Sequence, residues 1–269
     1  MNNFWELSEE NVIKIFSEIF QYRFMLWGMI SSDLRTRYKG SVFGFLWTFL
    51  NPLLMLLVYG MVFKTVMRVS LPHYLLFLFI GLLGWNLFAN SIMSSVGVIN
   101  RQSSIIKKLY FPREILPISI VLASAINYVL SLVILIPFLV ISGVYPSWTW
   151  VYWPLILIIE VIFTMGLSLF FSAINVFLRD VEHMLSIVLM AWFYLTPVVY
   201  TLTMIPNKYV QYFKMNPVAG IIVSYQDILY YHLPPRWKLF TYSIGISLMV
   251  LLFGWAVFRK LNRRFAEEV

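Results

Sequence analysis

The chain contains no cysteine. That excludes a disulfide framework, a thiol nucleophile and a thiolate-bound metal. Charge is scarce: 12% of the 269 residues are Asp, Glu, Lys or Arg, against about 25% in a soluble domain. None of the 12 glycines precedes a lysine, so the G-x-x-x-x-G-K-[ST] loop that cradles ATP phosphates is missing. His73, His183 and His232 are scattered and form no H-x-x-x-H pair for a metal. The outer loops project no paired carboxylates of the kind a membrane glycosyltransferase uses for its metal and sugar nucleotide. Little remains for catalysis, and no cofactor is expected in this chain.

What is present is apolar. Hydrophobic residues make up 61% of the sequence, too many for an ordinary soluble core. A transmembrane helix needs about 20 mostly apolar residues. Six runs meet that length: Ser41 to Phe63, Tyr74 to Ile99, Ile115 to Val144, Trp148 to Leu178, Met184 to Pro206 and Leu239 to Phe258. The expected fold class is therefore all-α, a polytopic membrane protein with six spans. Its organisation reads as a leading segment 1–40, a transmembrane domain 41–258 and a tail 259–269.

An even number of spans puts both termini on one side. With the termini cytoplasmic, only Lys64, Arg68, Lys208, Lys214, Arg236 and Lys238 of the 20 Lys and Arg fall outside. Four of those lie in one long connection, which weighs little in the positive-inside rule. Trp148, Trp150, Tyr152, Trp153 and Trp237 cluster at the outer ends, as interfacial aromatics do. The formal charge of +8 then reports cytoplasmic loops and anionic lipid rather than nucleic acid.

The first 27 residues mix Glu6, Glu9, Glu10, Lys14, Glu18 and Arg23 with apolar residues and lack the pattern of a secretory signal. Over 8–27 they predict an amphipathic helix lying in the membrane interface, with Ser8 as its cap. The connection 201–238 is broken by Pro206, Pro217, Pro234 and Pro235. It predicts two short amphipathic helices on or dipping into the outer surface, one near Asn207 to Met215. In the second, Val218, Ile221, Ile222, Tyr225, Ile228 and Leu229 share a face.

Three features carry candidate chemistry. The loop 101–114 (RQSSIIKKLYFPRE) sets Arg101, Lys107, Lys108 and Arg113 beside Ile105, Ile106, Leu109, Tyr110 and Phe111. Apolar residues rimmed by charge suit a docking surface, and Ser103 or Ser104 is positioned to cap a short helix there. The run Asp33 to Gly40 places Arg35, Arg37 and Lys39 where the leading helix meets the membrane. These cations serve either topology and bulk anionic lipid or a bound phosphate. Glu160 is the one acid inside an expected span. It reads either as a lumen carboxylate or as a buried acid bonded to a Ser, Asn or Tyr of another span.

Several blocks resemble a known family. DLRTRYKGSVFGFLWTFLNPLL (33–54), FPREILPIS (111–119), FLRDVEHML (177–185) with YLTPVVY (194–200), and MNPVAGIIVSYQDILY (215–230) are similar to segments of ABC-2-type permeases that export polysaccharides, in the same order. The likeness is nearest to O-antigen permeases, and those for teichoic acid and capsule are also similar.

The resemblance implies a homodimeric half-transporter in the bacterial inner membrane, paired with two copies of a separate ABC ATPase that binds ATP and Mg. The cargo would be a glycan on a polyprenyl diphosphate. Ser103, Ile106, Lys107, Leu109, Tyr110 and Arg113 would dock the ATPase. Arg35, Arg37, Tyr38 and Lys39 would meet the lipid diphosphate at a lateral entrance. Residues 8–27 would be the interface helix, and 201–238 the periplasmic gate. Tyr59, Trp85, Phe88, Glu160, Tyr194, Ile222 and Tyr225 are the pore or gate candidates. Aromatic residues, 18% of the chain, can stack on sugar faces but also serve packing and interfacial belts. A secondary transporter would need ionisable residues along its path or inverted repeats, and a lipid-sugar enzyme would need outer acid clusters; neither pattern is evident.

Overall fold

The computed structural model describes residues 20–36, 40–41, 43, 46–66, 71–141 and 143–268. Among them the regular structure is helical, without strands. In chain order the helices are α1 (Arg23–Thr36), α2 (Trp47–Gly60), α3 (Tyr74–Val96), α4 (Val98–Arg101), α5 (Ser103–Lys108) and α6 (Ile115–Ile141). They continue with α7 (Trp153–Phe177), α8 (Asp180–Tyr194), α9 (Asn207–Lys214), α10 (Pro217–Leu229), α11 (Trp237–Asn262) and α12 (Phe265–Glu268).

Four of these, α3, α6, α7 and α11, are long and apolar enough to cross a membrane. The other two expected spans are shorter than their apolar runs. The first becomes α2, which starts at Trp47, contains Pro52 and continues as a π-helical turn, Met61–Val66. The fifth becomes α8, which starts earlier than Met184, at Asp180. Asp180 and Glu182 fill its first turn, where the helix dipole favours acids. It stops at Tyr194, ahead of Pro197, which has no N–H to continue the ladder. Apolarity says what tolerates lipid; proline and turn geometry decide where the backbone bonds stop.

The leading helix also departs from its expected bounds. Residues 1–19, including the Ser8 cap, lie outside the described residues. The described part, α1, runs on to Thr36 rather than ending near residue 27. It packs on α6, where Arg23, Leu26, Trp27 and Ile30 border a groove with Leu122, Ile126 and Val129. That tertiary contact extends the helix through a sequence with little amphipathic pattern of its own.

The bundle is centred on α3. In its most apolar window 78% of residues are buried, against 22% for α11, which therefore sits at the periphery with Leu248, Met249, Leu252 and Phe253 exposed. Among the described residues the packing of α7 on α11 is the most extensive and uses small residues. A side chain at Gly166 of α7 would come within 2.6 Å of the Val250 and Leu251 backbone, and one at Gly254 would collide with the Gly166 carbonyl. Ser243 and Ser247 are buried in the same stripe.

A second apolar cluster closes the end of the bundle that carries α4 and α5, called here the lower end. Ile99, Ile106, Phe111, Leu116, Val176, Phe258 and Phe265 meet there. The upper end carries α9 and α10.

Candidate functional site

At the upper end α10 is not a surface helix. Every residue from Val218 to Leu229 is buried, so burial extends beyond the one apolar face expected to all faces of the helix. Ile222 and Tyr225 are both fully buried. Glycines of α3 make room for it: a side chain at Gly84 would sit 2.7 Å from Ile222 Cδ1, and one at Gly81 would sit 3.2 Å from Gln226 Nε2. By contrast α9 has no buried residue; its Tyr209 and Tyr212 are exposed.

Polar contacts hold α10 to the break after α8. Asn216 caps α10, its Oδ1 accepting from Val218 N at 3.1 Å. The same oxygen accepts from Trp192 Nε1 at 3.0 Å, and Asn216 Nδ2 donates to Thr196 Oγ1 at 2.9 Å. Gln226 Nε2 donates to the Pro197 carbonyl at 2.9 Å. One span over, Tyr225 donates to Glu160 Oε2 at 2.8 Å. Glu160 is therefore a buried acid bonded to a tyrosine of another helix. At the rim, Asp227 Oδ2 lies 3.2 Å from Arg236 Nε. Burial pushes the Asp227 carboxyl up to about 6, with the guanidinium opposing.

Of the remaining pore candidates, Tyr59, Trp85 and Tyr194 come together. With Phe193 they line a cleft of about 240 Å³ between α2, α3 and α8. Phe193 centres it, with ring centroids 5.6 Å from Tyr59, 5.4 Å from Trp85 and 5.3 Å from Tyr194. Phe88 lies behind, buried against Trp85, Phe163 and Trp192.

Sequence reasoning missed a second cleft, of about 350 Å³, between α2, α3 and α6. Asn51 comes from α2, Asn86, Asn90 and Ser94 from α3, and Ser124, Asn127, Tyr128 and Ser131 from α6. The two clefts share Met55, Asn86 and Asn90, so they flank α2 as one polar and aromatic track. Asn127 Oδ1 is buried with no hydrogen-bond partner among the described residues. Asn51 and Asn90 are exposed. The signal was present: Asn86, Asn90 and Ser94 recur every fourth residue in an apolar helix, which places them on one face.

At the lower end the docking candidates form a compact unit. The short helix is Ser103–Lys108, but its N-cap is Gln102, and no side chain caps it; neither Ser103 nor Ser104 does so. Ile106 is buried in the lower cluster, and Lys107 is exposed. Leu109 is 60% exposed and Tyr110 98%. Arg113 anchors the loop, donating to the Asn262 carbonyl at 2.8 Å, and its guanidinium lies 6.0 Å from the Phe265 ring. Glu114 and Arg259 are 3.9 Å apart. A cleft of about 830 Å³ runs between this loop and the end of α11, with Lys107, Lys108, Arg259 and Arg263 on its walls. Of the lipid-entrance set, Arg35 is exposed in the last turn of α1; Arg37, Tyr38 and Lys39 lie outside the described residues.

Residues 25–230 match the family described as ABC-2 type transporter. An O-antigen export system permease protein, RfbA, of Myxococcus xanthus is 35% identical over 96% of this chain and 100% of its own. One from Klebsiella pneumoniae is 40% identical over 88% of this chain and 92% of its own. The polysialic acid transport protein KpsM of Escherichia coli is 24% identical over 84% of this chain and 89% of its own.

Proposed function

Because the chain belongs to the ABC-2 type transporter family, as a transport subunit rather than an enzyme, we propose that its cargo is O antigen carried on a polyprenyl diphosphate. It is the transmembrane subunit of a polysaccharide ABC exporter and works with an ATPase partner. The observation that carries the cargo reading is similarity to O-antigen permeases over nearly the whole chain, at 35% and 40% identity. A capsule-type polyanion is the second reading, on the 24% identity to a polysialic acid transporter.

In this reading two copies form the pore and two ATPase subunits, holding ATP and Mg, bind the lower end. Both termini are cytoplasmic in the inner membrane. The chain crosses six times: α3, α6, α7 and α11 span alone, α2 with its π turn makes the first crossing, and α8 with the following turn makes the fifth. Ser103, Ile106, Lys107, Leu109, Tyr110 and Arg113 form the coupling loop. Tyr110 supplies an exposed knob, while Ile106 and Arg113 tie the loop to the lower cluster and α11.

Transport follows in three steps. The lipid diphosphate enters laterally near Arg35, Arg37, Tyr38 and Lys39, whose cations offset its charge. ATP binding and hydrolysis in the partner move the coupling loop, and its ties to α11 carry that movement into the spans. The pore then opens around the polymer beside Tyr59, Trp85 and Tyr194, with Phe88 and the Glu160–Tyr225 pair backing the wall. The segment with α10, carrying Ile222 and Tyr225, closes the outer end.

The test is ATP hydrolysis by this protein in lipid, alone and with the ATPase encoded beside it, with and without a polyprenyl-diphosphate glycan. The expected result is no hydrolysis alone and a stable complex whose rate responds to the glycan lipid. Failure to form a complex, or a rate indifferent to the glycan lipid, overturns the reading.

A further inference from the structure

We propose that the cleft between α2, α3 and α6 is a subsite for uncharged sugar units, so that the polymer this protein passes is neutral where it crosses this track. The inference rests on the exporter reading and adds the substrate's charge class. The cleft joins three helices and brings Asn51, Asn86, Asn90 and Asn127 together beside Trp47 and Tyr128. At about 350 Å³ it falls within the size range of small-molecule sites, about 300–1,000 Å³.

The chemistry of the lining selects the occupant. Each amide offers two donors and an acceptor, the complement of a ring carrying several hydroxyls. A polar group buried without a partner is destabilising, and in hydrocarbon there is no solvent to relieve it. Asn127 Oδ1 is in that state, and the exposed Asn51 and Asn90 sit in helices otherwise rich in Leu and Phe. An apolar lipid tail would leave these groups unsatisfied; a polyhydroxylated ring would not. Trp47 Nε1 already donates to Ser41 Oγ at 2.7 Å, so its remaining contribution is the indole face.

Charge narrows the occupant further. Among the described residues, neither this cleft nor the aromatic one beside it is lined by a Lys, Arg, Asp or Glu. A polyanion drawn from water into such a track would lose hydration with no cation to offset it. Arg101, which bonds the Ser94 carbonyl, lies 3.8 Å from Glu182, so an acid already shares its charge.

The experiment uses the assembled complex with its ATPase in nanodiscs. Two oligosaccharide probes of equal length, one neutral and one of sialic acid, are titrated by saturation-transfer NMR. The neutral probe should bind at least about tenfold more tightly, and Asn86→Ala with Asn127→Ala should weaken it about tenfold. Asn90→Lys, which adds the missing cation, should narrow the gap between the probes and serves as the second variant if the first does not assemble. Equal binding of both probes, binding of neither, or neutral binding indifferent to all these substitutions overturns the proposal. Such an outcome, with hydrolysis still stimulated by a glycan lipid, leaves the exporter reading standing.

Discussion

Tyr225 of α10 donates its hydroxyl hydrogen to Glu160 of α7 across 2.8 Å, and both residues are buried. The bond is the polar link between a short upper helix and the middle of a long apolar one. Tyr128 of α6 stacks on Trp153 with ring centroids 6.2 Å apart and lies 5.6 Å from the Tyr225 ring. Three helices thus meet around the Tyr225–Glu160 pair, and the bond helps to seat α10.

Tyr225→Phe should destabilise the protein by about 1–3 kcal/mol, the cost of stripping a buried polar group of its partner. Glu160→Gln, which keeps an acceptor, should cost less. Thermal unfolding in detergent checks the order; Glu160→Gln being the worse of the two would contradict it.

Asn216→Ala removes the cap of α10 together with the bonds to Trp192 and Thr196. Loss of the cap alone costs about 1 kcal/mol, and the stranded groups add to it. Proteolysis near residues 195–216 should accelerate before the global melting temperature falls far, because the lost bonds are local to that junction.

Gly166→Val should disrupt the α7–α11 contact, since its side chain would meet backbone that cannot rotate away. Gly245→Ala, on the same α11 with open space around it, should be neutral or stabilising by up to about 1 kcal/mol. Monodisperse protein after solubilisation is the readout. If both variants purify equally well, the close approach is not essential.

Arg236→Gln leaves Asp227 without its cation. The Asp227 carboxyl, held near 6, is above its unfolded value. Its protonated form therefore stabilises the fold at low pH, and that contribution is lost as pH rises through about 6. Arg236 offsets the loss when the acid is ionised. The destabilisation by Arg236→Gln should accordingly be larger at pH 7.5 than at pH 5, and melting curves at the two values measure it.

Tyr110→Ala should leave the melting temperature unchanged, because the ring is 98% exposed, yet weaken co-purification with the ATPase subunit. Undiminished co-purification would remove Tyr110 from the docking surface.

Composition and local pattern alone determined the helical class, the membrane setting, the lack of an ATP-binding loop and the amphipathic character of 101–114. These follow from properties that each residue carries by itself: transfer cost, charge, and the presence or absence of a motif. Helix ends were legible where proline dictates them, as at Pro217. Tertiary structure decided the rest. It extended α1 by packing it on α6 and gave the cap of α5 to Gln102. It enclosed α10 on every side, because Gly81 and Gly84 let it approach where a periodicity could show only one apolar face. It also gathered four asparagines from three helices into one cleft. In the linear sequence they are isolated polar residues in apolar runs, and only the packing of α2, α3 and α6 makes them neighbours.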